Sequence, residues 1–347
     1  MKNILLTGGC GFIGTHTAVS LLENGYNVFI LDSLINSSFE SINKIQKVCN
    51  IKPLEQEKLF FFEDDIRSKE AIKSVFEKAN KIKKPIDAVI HFAGLKSVSQ
   101  SLKVPIKYWD INVGGSINLC DVMNENGCNT IVFSSSATIY GQSDNNLINE
   151  NNPIHPINPY GTTKCTVENF LNELFNSNPT KWKIASLRYF NPIGAHSSGL
   201  IGENPKGEPN NIFPILLNVA SRKRSNLSIY GNDWPTNDGT GIRDYVHVMD
   251  LAEGHLRALR YLEKENNKII NLNIGTGKGT SVLELVKTFE KINKLKIPYT
   301  FAKRRSGDVP YVVADNSLSL KLLKWQPKRT VEEMCRDGWL WRCKNPN

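Results

Sequence analysis

The chain has 347 residues, of which 40% are hydrophobic and 22% are charged. This composition is typical of a folded globular protein and excludes a disordered chain, a collagen or a long coiled coil. The length predicts about two domains, with enough buried surface to fold without a disulfide or metal. The net charge of +9 is compatible with a nucleic acid, an anionic membrane or a phosphate-bearing small molecule, but Lys-rich usage spread over a solvated surface explains it more simply. The basic clusters are short and lack interleaved aromatic residues, so we expect no nucleic-acid partner.

Short apolar runs alternate with amphipathic helical patterns over the first half of the chain. The predicted strands are 4–6, 28–31, 59–62, 88–92, 130–133 and 184–187, and the predicted helices between them include 12–23, 69–78, 106–125 and 160–176. Continuous apolar strands separated by helices indicate a parallel sheet covered on both faces. We therefore predict an α/β fold with a Rossmann-type doubly wound parallel sheet, occupying residues 1–190 as a nucleotide-binding domain.

The pattern becomes less regular after residue 190, where Gly, Pro and Asn are dense between 191 and 211. Helical patterns follow at 212–222, 248–262, 281–292 and 330–342, and strand-like segments lie at 227–230, 269–274 and 299–302. We interpret 191–347 as a smaller mixed α/β C-terminal domain that binds substrate. The chain is expected to return to the first domain around 235–275.

A glycine-rich turn joins the first predicted strand to the first helix. Gly8, Gly11 and Gly14 fit a GxxGxxG spacing, and the alternative start at Gly9 fits GxGxxG. Such a turn lets the backbone approach a pyrophosphate, which then meets the free N–H groups of the helix. Asp32, at the end of the second strand, is placed to accept hydrogen bonds from ribose hydroxyls and to repel a 2′-phosphate. The pattern predicts NAD as the cofactor rather than NADP.

A Ser–Tyr–Lys set is the candidate catalytic group. Ser136 ends the fifth strand, and Tyr160 and Lys164 are spaced i, i+4 on one face of a helix. An ammonium about 4 Å from the phenol, at an effective dielectric of about 20, lowers the pKa of the tyrosine by about three. We therefore expect Lys164, together with an oxidised nicotinamide, to make Tyr160 a base, with Ser136 holding the substrate hydroxyl.

The seven cysteines are scattered, and no two form a CxxC pair. The six histidines show no spacing typical of metal ligands. The N-terminus shows no apolar signal segment followed by a cleavage site, and no apolar run reaches about 18 residues. We expect no metal, no membrane association and a reducing, cytoplasmic location.

Eight strings together resemble the UDP-glucose 4-epimerase family of extended short-chain dehydrogenase/reductases. They are TGGCGFIG at 7–14, HFAGLKSV at 91–98, FSSSATIYG at 133–141, YGTTK at 160–164, LRYFNPIGAH at 187–196, PNNIFP at 209–214, GTGIRDYVHVMDLAEGH at 239–255 and RRSGD at 304–308. Single strings occur in many sugar-nucleotide enzymes, whereas the set in this order is specific to the 4-epimerases.

The resemblance implies two sets of contacts beyond the catalytic group. Those expected for NAD are Gly8, Gly11, Phe12, Ile13, Gly14, Asp32, Ser33, Leu34, Ile35, Asn36, Ser37, Asp65, Ile66, Phe92, Ala93, Gly94, Leu95, Lys96, Asn112, Ser136, Tyr160, Lys164 and Phe190. Those expected for a UDP-hexose are Lys96, Ser136, Tyr160, Asn191, Asn211, Ser228, Ile229, Tyr230, Arg243, Arg305, Ser306, Gly307, Asp308 and Val312. Arginine forks suit a diphosphate, although a surface ion pair is an alternative role for Arg243 and Arg305.

Three positions depart from the family pattern. Ser33 replaces a common Asn, Ser306 replaces a common acid, and Val312 stands where the family forms restricted to UDP-hexoses have a Tyr. A small residue at 312 implies room for an N-acetyl group, unless other residues close the pocket.

The implied reaction interconverts UDP-galactose and UDP-glucose through a 4-keto intermediate, possibly with UDP-GalNAc and UDP-GlcNAc, while UDP-pentoses stay open. A 4,6-dehydratase is the rival enzyme, but it needs an acid beside Ser136, where Ala137 and Thr138 stand. A non-catalytic NAD-sensing or nucleic-acid-binding protein is expected to lack Tyr160 or Lys164. The resemblance also implies a homodimer paired through helices 106–125 and 160–176.

Overall fold

The structure, a computed structural model of the chain, describes residues 2–51, 57–142, 147–305 and 307–346. Its strands are β1 Asn3–Thr7, β2 Asn27–Asp32, β3 Leu59–Glu63, β4 Ala88–His91, β5 Thr130–Ser136, β6 Lys183–Tyr189, β7 Asn191–Ile193, β8 Leu227–Tyr230, β9 Ile242–His247, β10 Lys268–Ile274, β11 Gly279–Ser281, β12 Tyr299–Ala302 and β13 Tyr311–Val312. Its helices are α1 Phe12–Glu23, α2 Glu40–Val48, α3 Lys69–Lys81, α4 Val98–Lys103, α5 Pro105–Tyr108, α6 Gly115–Glu125, α7 Pro159–Ser177, α8 Ile212–Ala220, α9 Val248–Lys264, α10 Val282–Asn293, α11 Ser317–Leu323 and α12 Val331–Lys344.

Seven parallel strands form the central sheet in the order β10-β6-β5-β4-β1-β2-β3. The chain builds outward from β1 through β2 to β3, then crosses back to β4 on the other side of β1 and continues outward to β10. The crevice at the carboxyl ends of β1 and β4 is therefore a topological switch point, where ligands of such sheets bind. The predicted α/β fold with a Rossmann-type doubly wound parallel sheet is confirmed.

The central sheet is buried on both faces because its strands alternate apolar side chains between two cores. Leu5 and Phe29 face the core covered by α3, α6 and α7. Leu6 and Ile30 face the opposite core, which is covered by α1, α2 and α9. This explains why the strands are continuous apolar runs in the sequence.

Smaller sheets and a separate core follow in the C-terminal part. Strand β9 pairs in parallel with β7 and β13 and antiparallel with β11, while β8 and β12 form a parallel pair. Phe213 of α8, Phe289 of α10 and Trp341 of α12 are buried in the third core. Strand β10 lies at the edge of the central sheet, so the chain from the C-terminal half contributes to it.

The predicted helix 106–125 is interrupted by a π-helical turn, Trp109–Gly114, between α5 and α6. Such turns are frequent at functional sites because the extra residue re-aims a side chain. Here the turn carries Asn112. In the described part of the chain, no helix is long and apolar enough to cross a membrane.

Candidate functional site

The glycine turn after β1 is shaped by close backbone contacts. Gly8 has φ +70°, and a Cβ there would lie 2.6 Å from the backbone nitrogen of Ala93. A Cβ on Gly14 would lie 2.5 Å from the carbonyl oxygen of Gly8. Gly11 caps α1 without a side chain, so the first N–H groups of the helix stay free for an anion. The cradle fits the pyrophosphate of a dinucleotide.

The carboxylate of Asp32 organises the loop that follows β2. It accepts hydrogen bonds from the backbone N–H groups of Cys10 and Leu34, both at 2.9 Å, and from the hydroxyl of Ser37 at 2.7 Å. These bonds join the loop after β2 to the glycine turn. Asp32 therefore stands at the carboxyl edge, where its charge suits ribose hydroxyls better than a 2′-phosphate.

The loop after β4 joins the cofactor cradle to the catalytic helix. The backbone N–H of Leu95 donates to Asn112 Oδ1 at 2.8 Å, and Asn112 Nδ2 donates to Thr163 Oγ1 of α7 at 3.1 Å. A Cβ on Gly94 would lie 3.0 Å from Asn112 Oδ1 and 3.8 Å from Lys164 Nζ. The π-helical turn thus aims Asn112 at a point between the two loops, and Thr163 is a member of this network that the sequence did not indicate.

Ser136, Tyr160 and Lys164 come together at the carboxyl end of β5. The side chain of Ser136 lies near enough to the Tyr160 hydroxyl to act on its pKa, and Ser136 Oγ accepts a hydrogen bond from the backbone N–H of Thr138 at 3.2 Å. Lys164 is buried, donates from Nζ to the carbonyl oxygen of Ser134 at 2.7 Å, and lies 6.0 Å from the centroid of the Tyr160 ring. The three side chains can serve one reacting hydroxyl.

Burial dominates the acid–base chemistry of this pair. It raises the pKa of Tyr160 to about 12, although the hydrogen bond from Ser136 opposes the rise. It lowers the pKa of Lys164 to about 8, opposed by the charge of Glu168. Both groups are driven toward their neutral forms. In the protein without ligands, desolvation outweighs the lowering of the Tyr160 pKa that the charge of Lys164 alone is expected to give, and it acts on Lys164 as well.

A buried ionic network lies beneath the catalytic group. Arg188 Nη2 contacts Glu168 Oε2 at 2.7 Å, and both side chains are 3% exposed. Ser135, next to Ser136, donates to Glu168 Oε1 at 2.5 Å. Glu168 follows Lys164 by four residues on α7, a spacing that offered a sequence signal for this residue. The network fixes β5, β6 and α7 relative to one another.

A second group of candidates gathers around β9 and β13. The Arg305 guanidinium lies 4.4 Å from the Tyr230 ring centroid, and Arg305 Nε donates to Asp308 Oδ2 at 3.3 Å. Arg243 Nη1 donates to the carbonyl oxygen of Val309 at 3.0 Å, and burial lowers the pKa of its guanidinium. The charges of Arg305 and Asp308 both act on Arg243, so these side chains form one cluster suited to an anionic nucleotide.

The remaining candidate substrate contacts differ in their position in the fold and in their burial. Asn191 of β7 pairs with Tyr245 of β9, and Asn211 occupies the N-cap position of α8 without a side-chain capping bond. Ile229 is buried in the third core, so only its backbone is available beside Ser228. Val312 packs against the apolar cluster that contains Phe190, and Gly307 has φ +82°. Ser306 lies outside the described residues.

The remaining cofactor candidates lie along the same edge. The Arg67 guanidinium holds the pKa of the Asp65 carboxyl below its ordinary value, and Ile66 is buried against Gly115. Phe92 packs on His255 with ring centroids 4.8 Å apart. Phe12, Ile13, Ser33, Ile35 and Asn36 occupy the start of α1 and the loop after β2.

Within the described residues, no group of three or more His, Cys, Asp and Glu side chains could hold a metal ion. His91 is hydrogen-bonded through both ring nitrogens, to Thr7 at 2.6 Å and to Ser116 at 2.8 Å. Burial lowers its pKa to about 3, helped by the charge of Lys164. His91 is therefore a neutral residue of the core that supports the β4 loop.

Comparisons with known proteins agree over nearly the whole chain. The sequence model of the GDP-mannose 4,6 dehydratase family matches residues 5–338. UDP-glucose 4-epimerase of Bacillus subtilis (strain 168) is 47% identical over 350 residues, covering 99% of this chain and 98% of its own. Bifunctional UDP-glucose 4-epimerase and UDP-xylose 4-epimerase 1 of Pisum sativum is 46% identical, with coverage of 99% and 97%.

Solved structures give the same result. UDP-glucose-4-epimerase from Stenotrophomonas maltophila, with bound NAD and formylated UDP-arabinopyranose, has a TM-score of 0.94 at 41% identity and covers 100% of this chain and 99% of its own. The Bifidobacterium longum UDP-glucose 4-epimerase, in complex with NAD+ and UDP, has a TM-score of 0.92 at 41% identity with the same coverage. The UDP-Glc/GlcNAc 4-epimerase of Campylobacter jejuni is more distant, with a TM-score of 0.83 at 32% identity and coverage of 99% and 100%.

Proposed function

The chain belongs to the UDP-glucose 4-epimerase family, and we propose that it interconverts UDP-galactose and UDP-glucose by inverting C4 of the sugar with NAD as cofactor. The observation that carries the proposal is the meeting of Ser136, Tyr160 and Lys164 beside the loop of Gly94, directly next to the glycine turn. This juxtaposition places a proton acceptor for a sugar hydroxyl at the edge of a dinucleotide cradle. The bound NAD+ supplies reversible hydride acceptance.

The residues of the chain supply binding and proton transfer. Tyr160 takes the proton of the 4-hydroxyl and later returns it, while Ser136 orients that hydroxyl by hydrogen bonding. Lys164 holds the catalytic end of the cradle through its bond to the Ser134 carbonyl. Because burial keeps the Tyr160 pKa near 12 without ligands, proton removal requires the positive charge that the oxidised cofactor brings to the site.

The UDP part of the substrate must stay bound while the 4-keto sugar rotates in the site. The cluster of Arg243, Arg305, Asp308 and Tyr230 offers two guanidinium groups and an aromatic face. Guanidinium forks match diphosphate geometry, and the Tyr230 ring offers a surface for a base. We assign this cluster to UDP, with Asn191, Asn211 and Ser228 as further contacts.

The set of UDP-sugars that the site accepts depends on Val312. Its side chain packs against the apolar cluster that contains Phe190, and Val312 pairs with Arg243 of the nucleotide cluster where β13 meets β9. We infer that the short side chain leaves room for an N-acetyl group, so that UDP-GalNAc is also a substrate. Good turnover of UDP-galactose without turnover of UDP-GalNAc would refute this, and the matched variant Val312→Tyr is expected to lose only the N-acetylated substrate.

A homodimer is the second part of the proposal. Apolar side chains stand exposed along α4, α5 and the π-helical turn, including Leu102 at 64% and Ile106 at 84%. Contiguous exposed apolar surface marks an interaction face. Light scattering on Ile106→Lys is expected to give a monomer where the unchanged chain gives a dimer. The seven free thiols fit a reducing, cytoplasmic location.

The rival 4,6-dehydratase reaction needs an acid at the strand end to expel the C6 hydroxyl. Ala137 and Thr138 occupy the turn after Ser136, and Thr138 Oγ1 donates to Ser136 Oγ at 2.9 Å. Proton NMR of the protein with UDP-galactose separates the two reactions. An epimerase yields UDP-glucose, whereas a dehydratase yields a 4-keto-6-deoxy sugar and would overturn the proposal.

A further inference from the structure

A segment between β7 and α8, residues 201–210 and here called the strap, contacts two loops of the cofactor cradle. Lys206 donates from its backbone N–H to Asn36 Oδ1 at 3.1 Å and from Nζ to the carbonyl oxygen of Leu34 at 2.7 Å. Farther toward the start of the strap, Glu203 accepts from Lys96 Nζ at 2.8 Å. The strap therefore touches the loop after β2 and the loop after β4.

These two loops lie on opposite sides of the glycine turn. Strand β1 stands between β2 and β4 in the sheet, and neighbouring strands are about 4.8 Å apart. A segment that contacts the loops after β2 and β4 therefore spans the side of the sheet on which β1 ends. Asn210 adds a contact on the β4 side, because its Nδ2 donates to Ser97 Oγ at 3.0 Å.

The strap is anchored by packing at its start and by its continuation into α8 at its end. Ile201 is buried in the same core as α1, and a Cβ on Gly202 would lie 2.5 Å from the Trp341 ring. The other end continues into α8 through Asn211. Between these anchors Gly207 has φ +83° and no close neighbour for a Cβ. Polar contacts to the cradle therefore decide where the middle of the strap lies.

The Glu203 and Lys206 contacts that hold the strap to the two cofactor loops differ in chemistry. Glu203 is 5% exposed, and its ion pair with Lys96 joins a buried carboxylate to a cofactor-loop lysine that is 46% exposed. Lys206 is exposed, and its two hydrogen bonds run to the Asn36 side chain and the Leu34 carbonyl of the loop after β2. The Lys206 contact is the one that can open without exposing core residues or a buried charge.

We propose that the strap retains NAD during turnover, with Glu203 and Lys206 as positioning residues that fasten it to the two cofactor loops. The inference rests on the proposed function, which requires a cofactor that is oxidised and reduced in place. Release of the dinucleotide then requires the hydrogen bonds of Lys206 to the loop after β2 to break. The strap controls cofactor retention and takes no part in proton transfer.

The test is the rate at which NAD bound to the holoenzyme exchanges with isotopically labelled NAD in solution. Lys206→Met removes the ammonium and keeps an unbranched side chain, and we expect exchange about tenfold faster, equivalent to about 1.4 kcal/mol. Lys206→Arg keeps a cationic donor and is expected to restore slow exchange. Lys223→Met, on the exposed turn after α8, is the matched control and is expected to exchange as the unchanged protein does.

An unchanged exchange rate in Lys206→Met overturns the proposal. So does faster exchange accompanied by a lower melting temperature of the nucleotide-free variant, because that result assigns Lys206 to folding. A different result is expected if the proposed epimerase function itself is wrong. In that case the unchanged protein retains no NAD and forms no UDP-glucose, whereas failure of the strap alone leaves an active, NAD-loaded enzyme with equal exchange rates.

Discussion

The buried ammonium of Lys164 costs folding stability that depends on pH in a defined direction. Its pKa falls from 10.5 to about 8 in the folded chain, so between these values the unfolded chain binds more protons and stability rises with pH. At 1.36 kcal/mol per pH unit, the penalty is about 3 kcal/mol at pH 7. It falls below about 1 kcal/mol at pH 10, where the unfolded side chain also loses its proton.

Lys164→Met removes this penalty and makes it measurable. The variant also leaves the Ser134 carbonyl oxygen without its donor, but that loss does not depend on pH. Urea unfolding of the nucleotide-free proteins at pH 7 and pH 10 gives the stability of each. We expect the stability of the variant relative to the unchanged chain to fall by about 2–3 kcal/mol between pH 7 and pH 10.

The exposed Lys223 provides the control, because Lys223→Met removes a solvated ammonium. Its stability difference from the unchanged chain is expected to stay constant over the same range. If the stability difference between Lys164→Met and the unchanged chain also stays constant, the pKa of Lys164 is the same in the folded and the unfolded chain. The conclusion that burial governs the catalytic pair would then be wrong.

Three further predictions follow from the site. Tyr160→Phe is expected to lower kcat by about 10²–10⁴-fold while bound NAD, measured after denaturation, stays at the level of the unchanged protein; equal activity would exclude Tyr160 as the base. Gly8→Ala places a Cβ 2.6 Å from the Ala93 nitrogen, so the purified variant is expected to lack NAD, whereas Gly127→Ala, with similar φ and open space, retains it. Arg188→Met leaves Glu168 buried and unpaired, so urea unfolding is expected to show a loss of about 3–5 kcal/mol, and a loss below about 1 kcal/mol would mean that the network is not structural.

The central sheet could be predicted because its strands are apolar on both faces. Runs such as Ala88–His91 carry this signal in four residues, and amphipathic stretches such as 69–78 mark the helices between them. Helices α2 and α4 were not predicted, since α4 has six residues and leaves Val98 and Leu102 exposed. Their positions depend on packing against the rest of the domain rather than on their own pattern.

The C-terminal sheets were harder to predict. Strands β7, β11 and β13 have two or three residues each, too few for a periodic pattern, and their pairing with β9 joins distant parts of the chain. The strap contacts of Glu203 and Lys206 link residues separated by 107 and 172 positions. No local sequence signal indicates such contacts.

The catalytic residues were predictable in identity but not in electrostatics. Strand end, helix start and i, i+4 spacing bring Ser136, Tyr160 and Lys164 together, as the sequence indicates. The spacing indicates the attraction between the Lys164 ammonium and the Tyr160 phenolate, whereas in the folded chain desolvation acts on both groups. Burial of a particular side chain is a property of the packed fold, so this part of the chemistry required the structure.

The proposed mechanism requires that C4 of the sugar is oxidised and reduced again within one site by a cofactor that stays bound. The most direct measurement is to incubate the purified protein, with no added NAD, with UDP-galactose deuterated at C4 and to follow the product by NMR. The expected product is UDP-glucose that retains the deuterium at C4. Formation of no UDP-glucose, or of UDP-glucose carrying solvent hydrogen at C4, would contradict it.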